Sequence, residues 1–262
     1  MPEPRVVNDV PVVMSLRENG VVGVAGELEV TEAVARWLIG QTAVLHSPRD
    51  VRVVLIAGPD GEHRWGWTRW LPHCRVENEV IPALLGTEQE SIGRRVGEMT
   101  NLIAERLAEM KSPSLSKATP APYYVVVLDG ARRLRALPGI VTLLRDGPKV
   151  GVFVLCLDQD ERSLPEECRA IIGCSTESLT LHQSMAKDIR GVRADQVETA
   201  WTDRIGRALA PVRDATPSED DAGLPRSARL LECLGLQDPT PESIIAGWTG
   251  QAKHRCRHRH RL

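Results

Sequence analysis

Three evenly spaced glycines near the start of the chain could hold a phosphate group. Gly20, Gly23 and Gly26 accompany a short apolar strand, and a stripe of apolar residues typical of a helix follows them. A strand, a glycine loop and a helix N-terminus together present backbone N–H groups to an anion. The spacing therefore raises the question of whether this segment binds a nucleotide.

The side chains that a working phosphate loop requires are absent. A Walker-type loop places a Lys on the β- and γ-phosphates and a Ser or Thr hydroxyl on magnesium where the helix begins. Here Gly26 is followed by Glu27 and Leu28, and residues 20–35 contain no Lys or Arg. Three acids crowd the predicted helix start instead: Glu27, Glu29 and Glu32. These carboxylates complement the helix dipole themselves and would repel a triphosphate.

A second segment supplies an acid that could bind magnesium. The apolar run "YYVVVLDG", residues 123–130, ends in Asp129 as a Walker B strand does. Hydrolytic motors of this kind follow that Asp with a Glu that activates water, and Gly130 stands there. A strand-end Asp that caps the next turn is the alternative interpretation. We therefore predict a remnant nucleotide site at Gly23, Gly26 and Asp129, without catalysis and with ATP and magnesium bound at most weakly.

Composition and charge narrow the classes of partner. A chain of 262 residues with 42% hydrophobic residues can build one large α/β domain with an appendage. The net charge is −2, but residues 251–262, "QAKHRCRHRHRL", carry five basic residues and no acid. The remainder is therefore more acidic than the total suggests, which argues against broad contact with DNA phosphates. We expect no specific nucleic-acid partner and no metal site.

The cysteines and the hydropathy pattern indicate the compartment. Six cysteines are scattered without a CxxC pair, so we expect reduced thiols rather than disulfides or zinc ligands. No apolar run is long enough to span a membrane, and the N-terminus "MPEPRVVNDV" does not resemble a signal peptide. The expectation is a cytoplasmic protein that meets the inner face of the membrane only through partners.

Apolar runs and periodicity predict an α/β fold. Five strands are predicted at residues 21–25, 51–58, 123–130, 150–158 and 177–183, and helices at 30–45, 88–110 and 195–213. Asp195 is the predicted N-cap of the last helix. Alternating strands and helices favour a mostly parallel sheet covered on both faces, and the first helix should connect a parallel pair of strands.

The predicted domain organisation has three parts. Residues 1–213 form the α/β domain, 214–250 form a linker that leads into a following module, and 251–262 form a disordered His/Arg-rich tail. The apolar pattern of residues 240–248 collapses into Arg/His repeats, as a frameshift in GC-rich DNA would produce. The chain is therefore expected to be a fragment.

Three tryptophans are candidates for a docking surface. Trp65, Trp67 and Trp70 follow the second predicted strand in a turn-rich segment. That position lies beyond the carboxyl ends of the strands, where ligands and partners of open α/β sheets bind. Tryptophan is also enriched at interface hot spots. The alternative is that the rings cover the core, because one Phe and two Tyr leave few other aromatic residues to do so.

Several longer motifs resemble one family. They are "GVVGVAG", "ARWLIGQTAVLHSPRDVRVVLI", "RWLPHC", "VVVLDGARRLRALPGI", "GVFVLCLDQDERSLPEECRAII" and "DQVETAWTDRIGRALAPVRD". Together they resemble the FtsK/SpoIIIE-type ATPases of type VII secretion, the EccC/EssC class. "WLPH" and "LPEECRA" are the more specific marks. In particular, they resemble the degenerate nucleotide-binding-like domain that precedes the first true ATPase module.

The resemblance implies a fold, a role and partners. The fold would be a three-layer, P-loop-NTPase-like domain of the RecA/FtsK type, with a mostly parallel sheet and a degenerate nucleotide site. The role would be regulation or coupling by protein–protein contact, without hydrolysis. The partners would be other ATPase modules or subunits of a secretion motor.

Two other functions stay open as alternatives. An active FtsK-like ATPase that binds ATP and translocates DNA would need a Lys near Gly26 and a Glu after Asp129. A Rossmann-type enzyme would need a GxGxxG loop and an acid at the end of the second strand. The spacing here is GxxGxxG, and Asp60 and Glu62 lie too far along the chain.

Overall fold

The computed structural model describes residues 10–75, 84–111, 122–184 and 186–212, together with residues 240–242 and 245. The chain divides into two compact units, residues 1–214 and 215–262. The sheet and the candidate site lie in the first unit. The predicted linker, apart from the few residues given above, and the predicted basic tail lie outside the described residues.

Within the described ranges, eight strands form one sheet. They are β1 (Val21–Gly26), β2 (Val51–Ile56), β3 (Leu85–Gly86), β4 (Tyr123–Asp129), β5 (Val152–Asp158), β6 (Ala170–Cys174), β7 (Leu179–Gln183) and β8 (Ile189–Val192). Their order is β3-β2-β4-β5-β1-β6-β7-β8. In that order, all neighbouring strands between β3 and β6 pair in parallel. The pairs β6–β7 and β7–β8 are antiparallel.

Helices cover both faces of this sheet. They are α1 (Leu16–Asn19), α2 (Leu28–Leu45), α3 (Gly61–Trp65), α4 (Gln89–Lys111), α5 (Ala131–Leu134), α6 (Ile140–Asp146) and α7 (Thr199–Leu209). Buried residues of α2 pack on one face, and those of α4, α5 and α6 pack on the other. Strands β2, β4 and β5 are continuous apolar runs because both of their faces are covered. The predicted three-layer α/β architecture is confirmed.

The topology corrects three sequence-based expectations. Strands β1 and β2 do not form a pair, because β5 and β4 lie between them. Strands β3, β6 and β8 were not predicted. Strand β3 has only two residues, β8 is mostly exposed, and β6 is a short apolar run between polar residues. The last helix begins at Thr199 with Glu198 as its N-cap, not at Asp195. Periodicity identifies long elements, but it does not determine which strands become neighbours.

Candidate functional site at the carboxyl edge of the sheet

Asp129 ends β4 and is held by two donors from the segment after β2. Nη2 of Arg64 lies 2.7 Å from Oδ2 of Asp129, and Nε1 of Trp65 donates to the same oxygen at 2.8 Å. Strand β2 pairs with β4 up to Leu128, so α3, which follows β2, arrives beside the end of β4. The acid that was predicted to bind magnesium is therefore bonded to an arginine and an indole of its own chain.

Arg64 connects Asp129 to the start of α2. Its Nε lies 3.5 Å from Oε1 of Glu32, and Oε2 of Glu32 lies 3.4 Å from Nη1 of Arg36. Nε of Arg36 donates to the carbonyl oxygen of Val197 at 3.0 Å. Side chains of Arg64 and Asp129 are 27% and 17% exposed. Alternating acids and bases thus neutralise one another across this edge of the sheet.

The turn between β1 and α2 is too short to surround a phosphate. Strand β1 ends at Gly26 and α2 begins at Leu28, so only Glu27 lies between them. The Glu27 N–H donates to the carbonyl oxygen of Cys174 at 3.0 Å, which uses a donor that could have faced an anion. A loop of the Walker type needs several successive N–H groups free to converge on the phosphates.

The carboxylate of Glu27 closes the same turn from its other side. Oε1 of Glu27 accepts a hydrogen bond from the backbone N–H of Thr176 at 2.8 Å and lies 3.2 Å from the Thr176 hydroxyl. The carboxylate therefore joins the start of α2 to the segment after β6. An incoming triphosphate would meet this negative charge at the helix N-terminus.

Gly23 and Gly26 lie in β1 and not in a loop. A Cβ on Gly23 would lie 2.4 Å from Cδ1 of Leu164, so the missing side chain makes room for the segment after β5. Gly26 has a φ of +140°. The structure gives both glycines a packing role, and it separates them from Asp129 by the intervening strand β5.

The residue after Asp129 has a backbone conformation that suits glycine. Gly130 has φ +82° and ψ 52°, which is the left-handed region that a glutamate rarely adopts. Its N–H donates to the carbonyl oxygen of Leu157 at 3.0 Å, which fixes the turn into α5. A glutamate that activates water at this position would therefore require a different turn.

The tryptophans separate into a buried pair and an exposed one. Trp65 and Trp67 are 0% and 6% exposed and pack in the core, whereas Trp70 is 38% exposed. The segment is helical, because α3 continues into a 3₁₀ helix over Gly66–Trp70, and helical turns direct successive rings to different sides. The docking prediction is therefore corrected for Trp65 and Trp67, which belong to the core, and stays a prediction for Trp70.

Trp70 has a cationic neighbour on α7. The guanidinium of Arg207 lies over the Trp70 ring, 4.8 Å from its centroid. Helix α7 also packs against α2, where the rings of Trp37 and Trp201 have centroids 6.0 Å apart. The exposed part of Trp70 thus belongs to a surface shared with α7.

His73 and Cys74 are buried in the 3₁₀ turn Pro72–Cys74. The Nε2 atom of His73 lies 2.8 Å from the carbonyl oxygen of His46, and desolvation by burial lowers its pKa. Burial likewise raises the pKa of Cys74 to about 12. Among the described residues, no three His, Cys, Asp or Glu side chains form a cluster that could hold a metal ion.

No helix in the described ranges is long and apolar enough to cross a membrane.

Arg64 is the residue that sequence reasoning missed. Nothing in its local pattern distinguishes it from other surface arginines, because its partner lies 65 residues further along the chain. The adjacency of β2 and β4 is what brings the pair together. A prediction of strand order would have placed residues after β2 beside Asp129, but periodicity alone did not supply that order.

Comparison with known proteins identifies relatives of this chain in sequence. No family model matches it. It is 22% identical over 234 residues to the ESX secretion system protein EccC of Geobacillus thermodenitrificans, covering 88% of this chain and 15% of that protein. It is 26% identical over 238 residues to EccC of Thermomonospora curvata, covering 89% and 18%. The chain therefore spans less than a fifth of the length of either relative.

Solved structures share the fold. T. curvata EccC (ATPases 2 and 3), in complex with a signal sequence peptide, aligns with a TM-score of 0.56 at 17% identity, covering 75% of this chain and 42% of that one. EssC (ATPases 2 and 3) of G. thermodenitrificans aligns with a TM-score of 0.54 at 11% identity, covering 74% and 44%. The chain is thus similar to EccC/EssC secretion ATPases over nearly nine tenths of its length and has the P-loop-NTPase-like fold of their ATPase domains.

Proposed function

We propose that this chain is a non-hydrolysing, ATPase-like domain of a type VII secretion motor, and that it regulates or couples its neighbours through protein–protein contact. One observation carries the proposal: Asp129, the acid that would order magnesium, is bonded to Arg64 and Trp65. The residues that remain at the carboxyl edge support the fold rather than a nucleotide. The remnant site at Gly23, Gly26 and Asp129 would therefore bind ATP and magnesium weakly at most.

Opening the site would cost free energy that nucleotide binding would have to offset. Trp65 is fully buried, so its indole N–H would lose its only described acceptor if Asp129 turned toward a metal ion. An unsatisfied buried donor costs about 1–3 kcal/mol. Arg64 would lose the same carboxylate, and the triphosphate would approach Glu27 and Glu32. The lost hydrogen bonds and the charge repulsion both oppose nucleotide binding, and residues 20–35 contain no lysine that would offset them.

Similarity to secretion ATPases supports the proposed setting. The partners would be other ATPase modules or subunits of the motor, at the cytoplasmic side of the membrane, and the membrane would be met only through them. Within such a motor, the chain would correspond to the degenerate domain before the first active module, with residues 214–250 as the lead-in to that module. Trp70 and its neighbour Arg207 are the described residues that we assign to partner docking.

The proposal is tested by phosphate release in mixtures. Purified chain is assayed alone and together with a separately expressed, active EccC-type ATPase module. The expected result is no turnover by the chain alone and a changed rate for the module, with Trp70→Ala weakening that change. Turnover by the chain alone that Asp129→Asn abolishes would support the alternative of an active FtsK-like ATPase instead.

A further inference from the structure

A cleft of about 580 Å³ opens at the carboxyl edge of the sheet, on the face that α4 and α5 cover. Its walls come from the turns after β2 and β3, from the first half of α4, and from α5 with the turn that follows it. Ile92, Val96, Leu134 and Leu137 give the lining an apolar character. Both the volume and the place, beyond the carboxyl ends of parallel strands, are typical of sites for small molecules.

The cleft is separate from the candidate site around Asp129. Its residues Val96 and Leu134 belong to the hydrophobic cluster under α4 and α5. Trp65, which donates to Asp129, belongs to the cluster under α2, on the opposite face of the sheet. Binding in the cleft would therefore not depend on whether the nucleotide site works.

Arg133 on α5 is the only charged side chain among the described residues that line the cleft. Its guanidinium packs over the backbone of Gly58, the residue that follows β2 by one turn position. A Cβ on Gly58 would lie 2.2 Å from Nη2 of Arg133 and 2.7 Å from Nη1. The missing side chain at position 58 therefore gives the guanidinium its place at the cleft.

No carboxylate neutralises this guanidinium within the part of the chain that the structure describes. The described lining contains no Asp or Glu. Glu166 and Glu167 pair with Arg135, on the other side of α5 in sequence. A guanidinium presents a fork of N–H donors that can bind both oxygens of one carboxylate. The charge of the cleft thus favours an anion with that geometry.

Two glycines of α4 leave the cleft open. Gly93 and Gly97 lie one turn apart on the helix, and both line the cleft. No atom lies within 4 Å of a Cβ built on either of them. The absent side chains leave room beside Ile92 and Val96 for an apolar group that lies against the helix backbone.

We propose that this cleft binds a small organic carboxylate whose apolar body, such as an aromatic ring, lies against α4 and whose carboxylate binds Arg133. One cation matches a single negative charge, and the mostly apolar lining matches the body of such an acid. A nucleoside triphosphate carries several negative charges, which one guanidinium in an apolar cleft does not balance.

Nuclear magnetic resonance of the full, ¹⁵N-labelled chain tests the site with 2-naphthoate as the probe. The amide resonances of Gly58, Gly93 and Gly97 should shift and saturate as 2-naphthoate is added. The uncharged analogue 2-naphthamide, which keeps the rings, should bind about threefold to tenfold more weakly, because the ion pair is partly exposed to solvent. Arg133→Gln should weaken 2-naphthoate by a similar factor. Arg132→Gln removes an exposed charge outside the lining and should change its Kd less than twofold.

Two further variants test position and space separately from charge. Gly58→Ala keeps Arg133 but displaces its guanidinium, so it should weaken 2-naphthoate more than 2-naphthamide. Gly97→Leu fills the cleft and should abolish binding of both probes. Ala104→Leu is the matched control, because Ala104 is exposed on α4 two turns further along and lies outside the lining. Melting temperatures verify the fold, and Gly93→Leu replaces Gly97→Leu if the latter is destabilised.

The other outcomes contradict the proposal. Absence of saturable shifts at millimolar 2-naphthoate would show that the cleft holds no such ligand. Equal affinities for 2-naphthoate and 2-naphthamide, or equal losses in Arg133→Gln and Arg132→Gln, would show that Arg133 does not bind the carboxylate. Shifts that persist in the folded variant with a filled cleft would place the probe elsewhere on the chain.

Discussion

Gly26 lies against the end of β6 so closely that a Cβ on it would be 1.9 Å from the carbonyl oxygen of Cys174. The Gly26 φ of +140° adds a conformational requirement to this steric one. We therefore predict that Gly26→Ala lowers the free energy of unfolding by at least about 3 kcal/mol, from clash and backbone strain together. Urea denaturation followed by circular dichroism measures the change.

Gly93 provides the matched control for that substitution. It lies within α4, and no atom lies within 4 Å of a Cβ built on it. Gly93→Ala should therefore stabilise the chain by about 0.5–1 kcal/mol through helix propensity. A Gly26→Ala variant as stable as the parent would show that the β1–α2 turn has room to rearrange, as a phosphate-binding loop does.

The ion pair between Arg64 and Asp129 should contribute to stability because both side chains are partly buried. Arg64→Met leaves Asp129 with one described donor, Trp65, and is expected to cost about 1–3 kcal/mol. Arg69→Met is the control, since Arg69 and Glu62 form a more exposed pair, 42% and 48% accessible. Its cost should stay below about 1 kcal/mol. Equal losses of unfolding free energy in the two variants would contradict a special contribution of the Arg64–Asp129 pair.

Burial of two of the three tryptophans predicts unequal effects of their removal. Trp65→Ala should cost about 3–5 kcal/mol, as truncation of a fully buried large side chain does, and Trp67→Ala should behave similarly. Trp70→Ala should change the melting temperature little, because the ring is partly exposed. Differential scanning fluorimetry distinguishes them. If the Trp65→Ala, Trp67→Ala double variant is destabilised only slightly, the assignment of both rings to the core is contradicted and the docking prediction is favoured.

Acid should destabilise the chain through His73. Burial holds its folded-state pKa below the ordinary value of 6.5, so below that pH the unfolded chain binds more protons than the folded chain. Stability from this group is complete above pH 6.5 and declines as the pH falls toward the folded pKa. His73→Gln should flatten the fall in melting temperature between about pH 7.5 and pH 5.5, whereas exposed His63→Gln should not. Parallel curves for both variants would contradict the assignment.

The long elements could be predicted from the sequence because their hydrophobic patterns are local. The runs at 51–58 and 123–130 and the stripe at 88–110 each appear in the structure within two residues at either end. His46, the residue after α2, lies with Nδ1 3.1 Å from the carbonyl oxygen of Thr42. Each of these features depends on neighbours within one or two turns of chain.

The candidate site could be predicted only in part, because its contacts are not local. The missing lysine and the acids near Glu27 are visible in the sequence, whereas the partner of Asp129 depends on β2 lying beside β4. Burial of Trp67 depends on α7, whose Gly206 lets that helix approach the Trp67 backbone closely. Strand order and the docking of distant helices determine both, and no local periodicity encodes them.

Isothermal titration calorimetry of the purified chain with Mg-ATP tests the absence of a working nucleotide site most directly. The account predicts no binding isotherm at micromolar concentrations, because Arg64 and Trp65 bind Asp129 and the β1–α2 turn is a single residue, Glu27, whose N–H donates to Cys174. Asp129→Ala, verified as folded by its circular dichroism spectrum, is titrated in parallel. A micromolar isotherm for the parent that disappears in Asp129→Ala would contradict the account.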